Sequence, residues 1–167
     1  MQPVIRRATV EDAEAAAWCH LLCWREAYDG LVEPDVLMDR TSDIDRRIER
    51  WTTHIGAGRI HWIALNPAAG LPVQEQVIGF AVPGPSRDED APTPLELLSI
   101  YARKAWWGTG LGVRLLEVAI GKEPASLWVF EGNHRARAFY RRHGFVEDGA
   151  QVDDPFFGLP EIRMVRR

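Results

Sequence analysis

Two hydrophobic periods alternate along the chain. Short apolar runs rich in β-branched and aromatic residues predict strands at Val4–Ala8, Arg59–Leu65, Gln76–Val82, Leu95–Arg103, Ser126–Phe130, Phe145–Glu147 and Pro160–Val165. Helical spacing fills the intervals. A first helix starts at Thr9, an N-cap with Asp12 three residues on as a variant capping box, and runs to about Tyr28. Gly30 and Pro34 break it from a second helical region over Pro34–His54, in one or two pieces with a new cap near Thr41 or Ser42. Further helices start at Gly110 and His134, the latter ending at His143 with Gly144 as its C′ residue. A loop with Pro and Gly between Arg59–Leu65 and Gln76–Val82 predicts an antiparallel pair, and Pro83–Pro94 reads as an acidic loop. The order is β-α-α-β-β-β-α-β-α-β-β, without an internal repeat.

A length of 167 residues suits one compact domain spanning residues 1–167. With 46% hydrophobic and 26% charged residues and a mean hydropathy of −0.22, the composition is that of a soluble globular protein. No run is long enough to span a membrane and MQPVIRRAT lacks a signal-peptide core, so a cytoplasmic location is the expectation and no membrane partner is expected. A net charge of −4 argues against a broad nucleic-acid-binding surface. One basic cluster, Arg135, Arg137, Arg141, Arg142 and His143, reads as a solvated helix face or as a reach toward cofactor phosphates. Cys19 and Cys23, with His20 between them, read as reduced thiols, because no further ligands stand at metal-binding spacing.

The candidate chemistry lies in Leu95–Glu117, where a strand meets Gly108, Gly110 and Gly112 and then a helix carrying Leu111, Leu115, Leu116, Val118 and Ala119. Glycine lets backbone approach a ligand closely and adopts positive φ. A helix N-terminus there offers unpaired N–H groups and a favourable dipole to a phosphate. The third glycine of G-x-G-x-x-G falls on Val113 and no G-K-[ST] follows, so neither the dinucleotide fingerprint nor the P-loop is met.

The run Trp107-Gly108-Thr109-Gly110-Leu111-Gly112 resembles the [QR]-x-x-G-x-[GA] loop of the GNAT superfamily of acyl-CoA-dependent N-acetyltransferases. Downstream, Asn133-His134-Arg135-Ala136-Arg137-Ala138-Phe139-Tyr140, followed by His143-Gly144-Phe145, resembles that family's N-x-x-A-x-x-[FL]-Y…G-F signature. The resemblance implies a single α/β domain whose mixed, strongly twisted central sheet is flanked by helices. It also implies transfer of acetyl from acetyl-CoA to a primary amine, by direct attack in a ternary complex and without a metal.

It further implies roles for particular residues. The amides of Trp107, Gly108, Thr109, Gly110, Leu111 and Gly112 would hold the cofactor pyrophosphate, and backbone at Ile100 and Ala102 would pair with the pantetheine arm. Tyr140 would protonate the departing thiolate, and Glu96, eleven residues before Trp107, would act as base. Asn133 would bond the cofactor arm or cap its helix. Trp107 departs from the family's Gln or Arg, and its side chain is expected to pack. Trp24, Tyr28, Glu33, Asp153, Asp154 and Phe156 are candidates for the acceptor side. A small-molecule amine is the expected acceptor, with a protein N-terminus or lysine as the alternative. A non-catalytic acyl-CoA-binding regulatory module is the rival from another class, and a homodimer is compatible with the sequence.

Overall fold

The computed structural model describes residues 2–167. Seven strands form one mixed sheet: β1 (Val4–Arg7), β2 (Trp62–Leu65), β3 (Val77–Pro85), β4 (Leu95–Ala102), β5 (Ala125–Phe130), β6 (Val146–Asp153) and β7 (Pro160–Arg166). Their spatial order is β1-β2-β3-β4-β5-β7-β6. The helices are α1 (Ala13–Tyr28), α2 (Pro34–Arg40), α3 (Ile44–Gly56), the single turn α4 (Val73–Gln76), α5 (Leu111–Ile120) and α6 (His134–Arg142). None is long and apolar enough to cross a membrane among the described residues.

Two layers of helix cover the sheet. On one face α1 presents Ala13, Ala16, Ala17, Cys19 and Cys23, small side chains that let it lie close on Ile63, Val77 and Phe80, with Trp51 of α3 closing the cluster. On the other face α5 sets Leu111 and Leu115 against Ala64, Ile78 and Ala81, while its Leu116 and Ile120, together with Tyr140 of α6, pack with Leu97, Leu127 and Phe145. The seating is tight. A Cβ on Gly79 would stand 2.9 Å from the Tyr101 carbonyl oxygen and 3.0 Å from Leu115, so only glycine lets α5 approach there.

All neighbouring strands are antiparallel except β4 and β5, which are parallel and paired only at Glu96↔Ser126. Beyond that pair they diverge. The β3–β4 register passes from Val82↔Ser99 to Pro83↔Leu97, leaving Leu98 as an extra residue on β4. Leu97 therefore faces α5, and so does Ile100, while Tyr101 faces α1.

Several element boundaries depart from the sequence pattern. β3 continues through Pro83 and Pro85, which the pattern assigned to a loop; β2 ends opposite Ala81, so β3 is an edge strand there and the missing N–H groups break no ladder. β6 runs to Asp153 rather than Glu147, because an edge strand held by β7 needs no apolar alternation. β2 begins at Trp62 rather than Arg59, and α4 carried no sequence signal. The predicted region Pro34–His54 is two helices, whose second cap is Asp43, with Oδ1 accepting from Arg46 N at 2.9 Å. Thr41 instead closes α2, donating from Oγ1 to the Leu37 carbonyl at 2.7 Å.

Candidate active site

The divergence of β4 from β5 opens a cleft of about 1530 Å³ that reaches both faces of the sheet. That exceeds the size of an ordinary small-ligand site and leaves room for two ligands end to end. Its floor is strand backbone. Arg103 N donates to Ile78 O at 2.9 Å, so residues 103 and 101 turn their peptide groups toward β3. Strand alternation then turns those of Ile100 and Ala102 into the cleft. These are the two positions at which the family resemblance implies a cofactor arm, and an extended amide-bearing chain can add there as a strand does.

Trp107 alters that edge. Its indole Nε1 donates to the Ala102 carbonyl at 2.7 Å, and the Arg135 guanidinium stacks over its ring with Cζ 3.6 Å from the centroid. The side chain packs, as expected, and it also takes one of the edge's acceptors. Ile100 N–H and C=O and Ala102 N–H are left to face the cleft.

The glycine loop follows directly. Gly108 and Gly110 have φ of +75° and +87°, and a Cβ on either would meet no protein atom within 4 Å. Gly110 is the N-cap of α5, so Leu111, Gly112 and Val113 carry N–H groups without helical partners. The Trp107 and Thr109 amides, in contrast, donate within the loop to the carbonyls of Lys104 at 3.1 Å and Trp106 at 3.4 Å. The amides left free for an anion are thereby narrowed to Gly108 and residues 110–113.

Tyr140 lies in the wall of the cleft, 8% exposed, on the α5 side. Burial raises its phenol well above the usual value, nearby Tyr101 adds to the rise and Arg135 opposes it. It is a protonated hydroxyl at any physiological pH. Asn133 caps α6, its Oδ1 accepting from Ala136 N at 3.1 Å, and it also lines the cleft.

Glu96 occupies a different setting. It is 0% exposed, and Arg87 encloses its carboxylate, donating from N to Oε2 at 2.9 Å and from Nη2 to Oε1 at 2.5 Å. Arg87 belongs to a strap, residues 86–94, that also binds Arg163 of β7 through Asp88 and Asp90. Asp148 completes that network. Among the described residues, Glu96 is not one of the groups lining the cleft.

On the α1 side the cleft is aromatic. The hydroxyls of Tyr28 and Tyr101 share a hydrogen bond, and Trp24 stands edge-on to Phe156 and Phe157 at 5.4 and 5.2 Å. Of the acceptor-side candidates, Trp24, Tyr28, Asp154 and Phe156 line the cleft; Glu33 and Asp153 do not. Two residues escaped the sequence reading. Glu161 of β7 pairs with Phe130, which packs on Tyr28, so its carboxyl shares the α1 face. Burial and the nearby Asp154 push it up to about 7, with Arg87 opposing. Arg47 of α3 is the second. Neither lies in a motif, and only the strand pairing and helix packing bring them in.

A family model described as an acetyltransferase (GNAT) domain matches residues 57–147. A protein of Mycobacterium tuberculosis named as a probable N-acetyltransferase is 29% identical over 150 residues, covering 87% of this chain and 80% of that one. Among solved structures, the PaiA N-acetyltransferase of Thermoplasma acidophilum in complex with coenzyme A matches with a TM-score of 0.70 at 20% identity, covering 100% of this chain and 99% of that one. The ribosomal-protein-alanine N-acetyltransferase of Brucella melitensis matches with a TM-score of 0.64 at 24% identity, covering 98% of each chain. These two structural likenesses show a shared fold.

Proposed function

The chain belongs to the GNAT acetyltransferases, and from that membership we propose that it moves acetyl from acetyl-CoA to the primary amine of a small molecule, by direct attack in a ternary complex. The observation that carries this reading is the continuity of the free β4 edge at Ile100 and Ala102 with the unpaired amides of Gly108 and residues 110–113. Amides of this kind suit the pyrophosphate, and the strand edge suits the amide-bearing arm. Arg135 and Asn133, on the same wall, flank that path.

The donor thioester then lies between the two faces of the sheet, with Tyr140 on one side and Glu161 on the other. An ammonium entering from the α1 side gives its proton to the Glu161 carboxylate, and the free nitrogen lone pair adds to the thioester carbonyl carbon. The tetrahedral adduct re-forms its C=O, the carbon–sulfur bond breaks with its electrons passing to sulfur, Tyr140 protonates the thiolate, and the second proton shed by the amide nitrogen restores the Tyr140 hydroxyl, while Glu161 releases its proton to solvent. A carboxyl that titrates near 7 is matched to taking a proton at neutral pH. Glu96, enclosed by Arg87, holds the strap against the sheet in this scheme. Neither cysteine is placed to form a covalent acyl-enzyme, since both lie on the buried face of α1 at 0% and 1% exposure.

The test is acetyl-CoA consumption with a panel of small amines, run beside direct binding of coenzyme A. Turnover on small amines is expected. Tight cofactor binding with no turnover on small amines, protein N-termini or lysines would turn the assignment to a non-catalytic acyl-CoA-binding module.

A further inference from the structure

Arg47 lies half-buried in the α1 side of the cleft, and nothing in the acetyl transfer so far derived uses it. Its guanidinium stacks over Trp24, with Cζ 4.6 Å from the ring centroid. Its Nε is buried without a hydrogen-bond partner among the described residues. Two other arginines, by contrast, are neutralised: Arg87 by Glu96, and Arg163 by Asp88, Asp90 and Asp148. Arg47 has no such counter-ion among the described residues.

The groups around it reinforce the contrast. Arg25 of α1 and Arg50 of α3 add positive charge, and burial with Arg50 brings Arg47 down to about 10, still fully cationic at neutral pH. His20 is held well below its usual value by burial and by Arg47 and Arg50, so it stays uncharged. Asp43, one turn before Arg47, is engaged as the N-cap of α3, and Tyr101 is a protonated phenol, pushed up to about 12. A desolvated guanidinium with an unused fork of donors is complementary to a carboxylate. Across the cleft, beyond Trp24, Tyr28 and Phe157, stand Glu161 and Asp154, which are complementary to an ammonium.

We propose that the acceptor is an aminocarboxylate, whose carboxylate is held by Arg47, whose carbon chain lies on Trp24 and Tyr28, and whose amine points toward Glu161. This rests on reading the cleft as an amine acetyltransferase site. Arg47 is thus a specificity-determining residue, binding the end of the acceptor remote from the chemistry.

Two measurements test it. In the first, acetylation of aminocarboxylates of increasing chain length is compared with that of their carboxamides. The acids are expected to have the lower KM, and Arg47→Gln to raise that KM by about 10- to 100-fold without changing KM for the amides or the affinity for coenzyme A. Arg47→Lys, which keeps the charge and loses the fork, should recover only part of the loss. In the second, N-acetylated aminocarboxylates and their carboxamides are titrated into the coenzyme A-loaded protein by calorimetry, which needs no turnover. Tighter binding of the acid that is lost in Arg47→Gln supports the site even if no amine is acetylated, in which case it is the acetyltransferase reading that fails. Equal binding of acid and amide, or an equal loss of both in Arg47→Gln, overturns the proposal.

Discussion

Gly110 and Gly112 are two residues apart and call for opposite outcomes on replacement by alanine. Gly110 has φ +87° at the N-cap of α5, a left-handed conformation that costs an L-residue about 1–2 kcal/mol. Against a domain stability of about 5–15 kcal/mol, Gly110→Ala remains folded, with Tm lowered by roughly 2–8 °C. The new Cβ meets no protein atom, and on the proposed placement of the cofactor phosphates it would intrude on them. Loss of one charge-assisted N–H contact costs about 1.5–3 kcal/mol, or roughly 10- to 150-fold in Kd. Gly112 has no positive φ and lies in the first turn of α5, where a Cβ would rest 3.5 Å from Phe139 in ordinary contact. Alanine there removes the conformational cost of a helical glycine, a gain of about 0.5–1 kcal/mol. Calorimetric titration of coenzyme A into each variant, with thermal unfolding of the same samples, separates the two effects. Wild-type cofactor affinity in Gly110→Ala, or equal losses in both variants, would refute the placement of the phosphates at this loop.

Tyr140→Phe should lower kcat by roughly 100-fold while coenzyme A affinity stays within about twofold; unchanged single-turnover rates would remove Tyr140 from the proton-donor role. For Glu161→Gln, the limb of kcat/KM that rises through pH 7 should disappear, and a retained limb would place the base elsewhere. The same variant has a stability signature. The fold raises the Glu161 carboxyl, so its contribution is fully present below the ordinary carboxylate pKa of about 4.3 and is lost as pH rises through about 7. Glu161→Gln should therefore raise the unfolding free energy above pH 7 by about 1 kcal/mol after allowing for water contact, read as a higher Tm, and should not do so at pH 4. Trp107→Phe deletes the hydrogen bond to Ala102 and keeps an aromatic face for Arg135, so stability should fall by about 0.5–1.5 kcal/mol with cofactor affinity maintained. A tenfold loss of coenzyme A affinity would instead mean that the indole itself touches the cofactor.

The glycine-loop end of the cleft, where the cofactor is proposed to bind, was legible in the amino-acid order because its geometry is local. Gly108, Gly110 and the apolar stripe of α5 lie within a dozen residues, and Asn133 caps the helix that carries Tyr140 seven residues on. Turn chemistry and helical period act over that range. Trp107 shows where local reasoning ends: its packing was foreseeable, but its bond to Ala102 and its stack on Arg135 depend on the loop folding back against α6. Glu96 shows the same limit, since its position on a central strand was clear and its enclosure by Arg87 was not.

Periodicity and short motifs were enough to specify an α/β domain with a glycine loop at a helix N-terminus and a family resemblance, because hydrophobic spacing, caps and glycine conformations are properties of neighbouring residues. The proposed acceptor side depended on the assembled sheet. β4 and β5 part after Glu96↔Ser126, Glu161 comes to face Tyr28 by pairing with Phe130, and Arg47 reaches Trp24 from a helix packed across α1. Residues so far apart in the chain meet only when burial of the two helical layers fixes strand order and register. Whether a charge there is neutralised or left for a ligand is therefore decided by packing and absent from any local pattern.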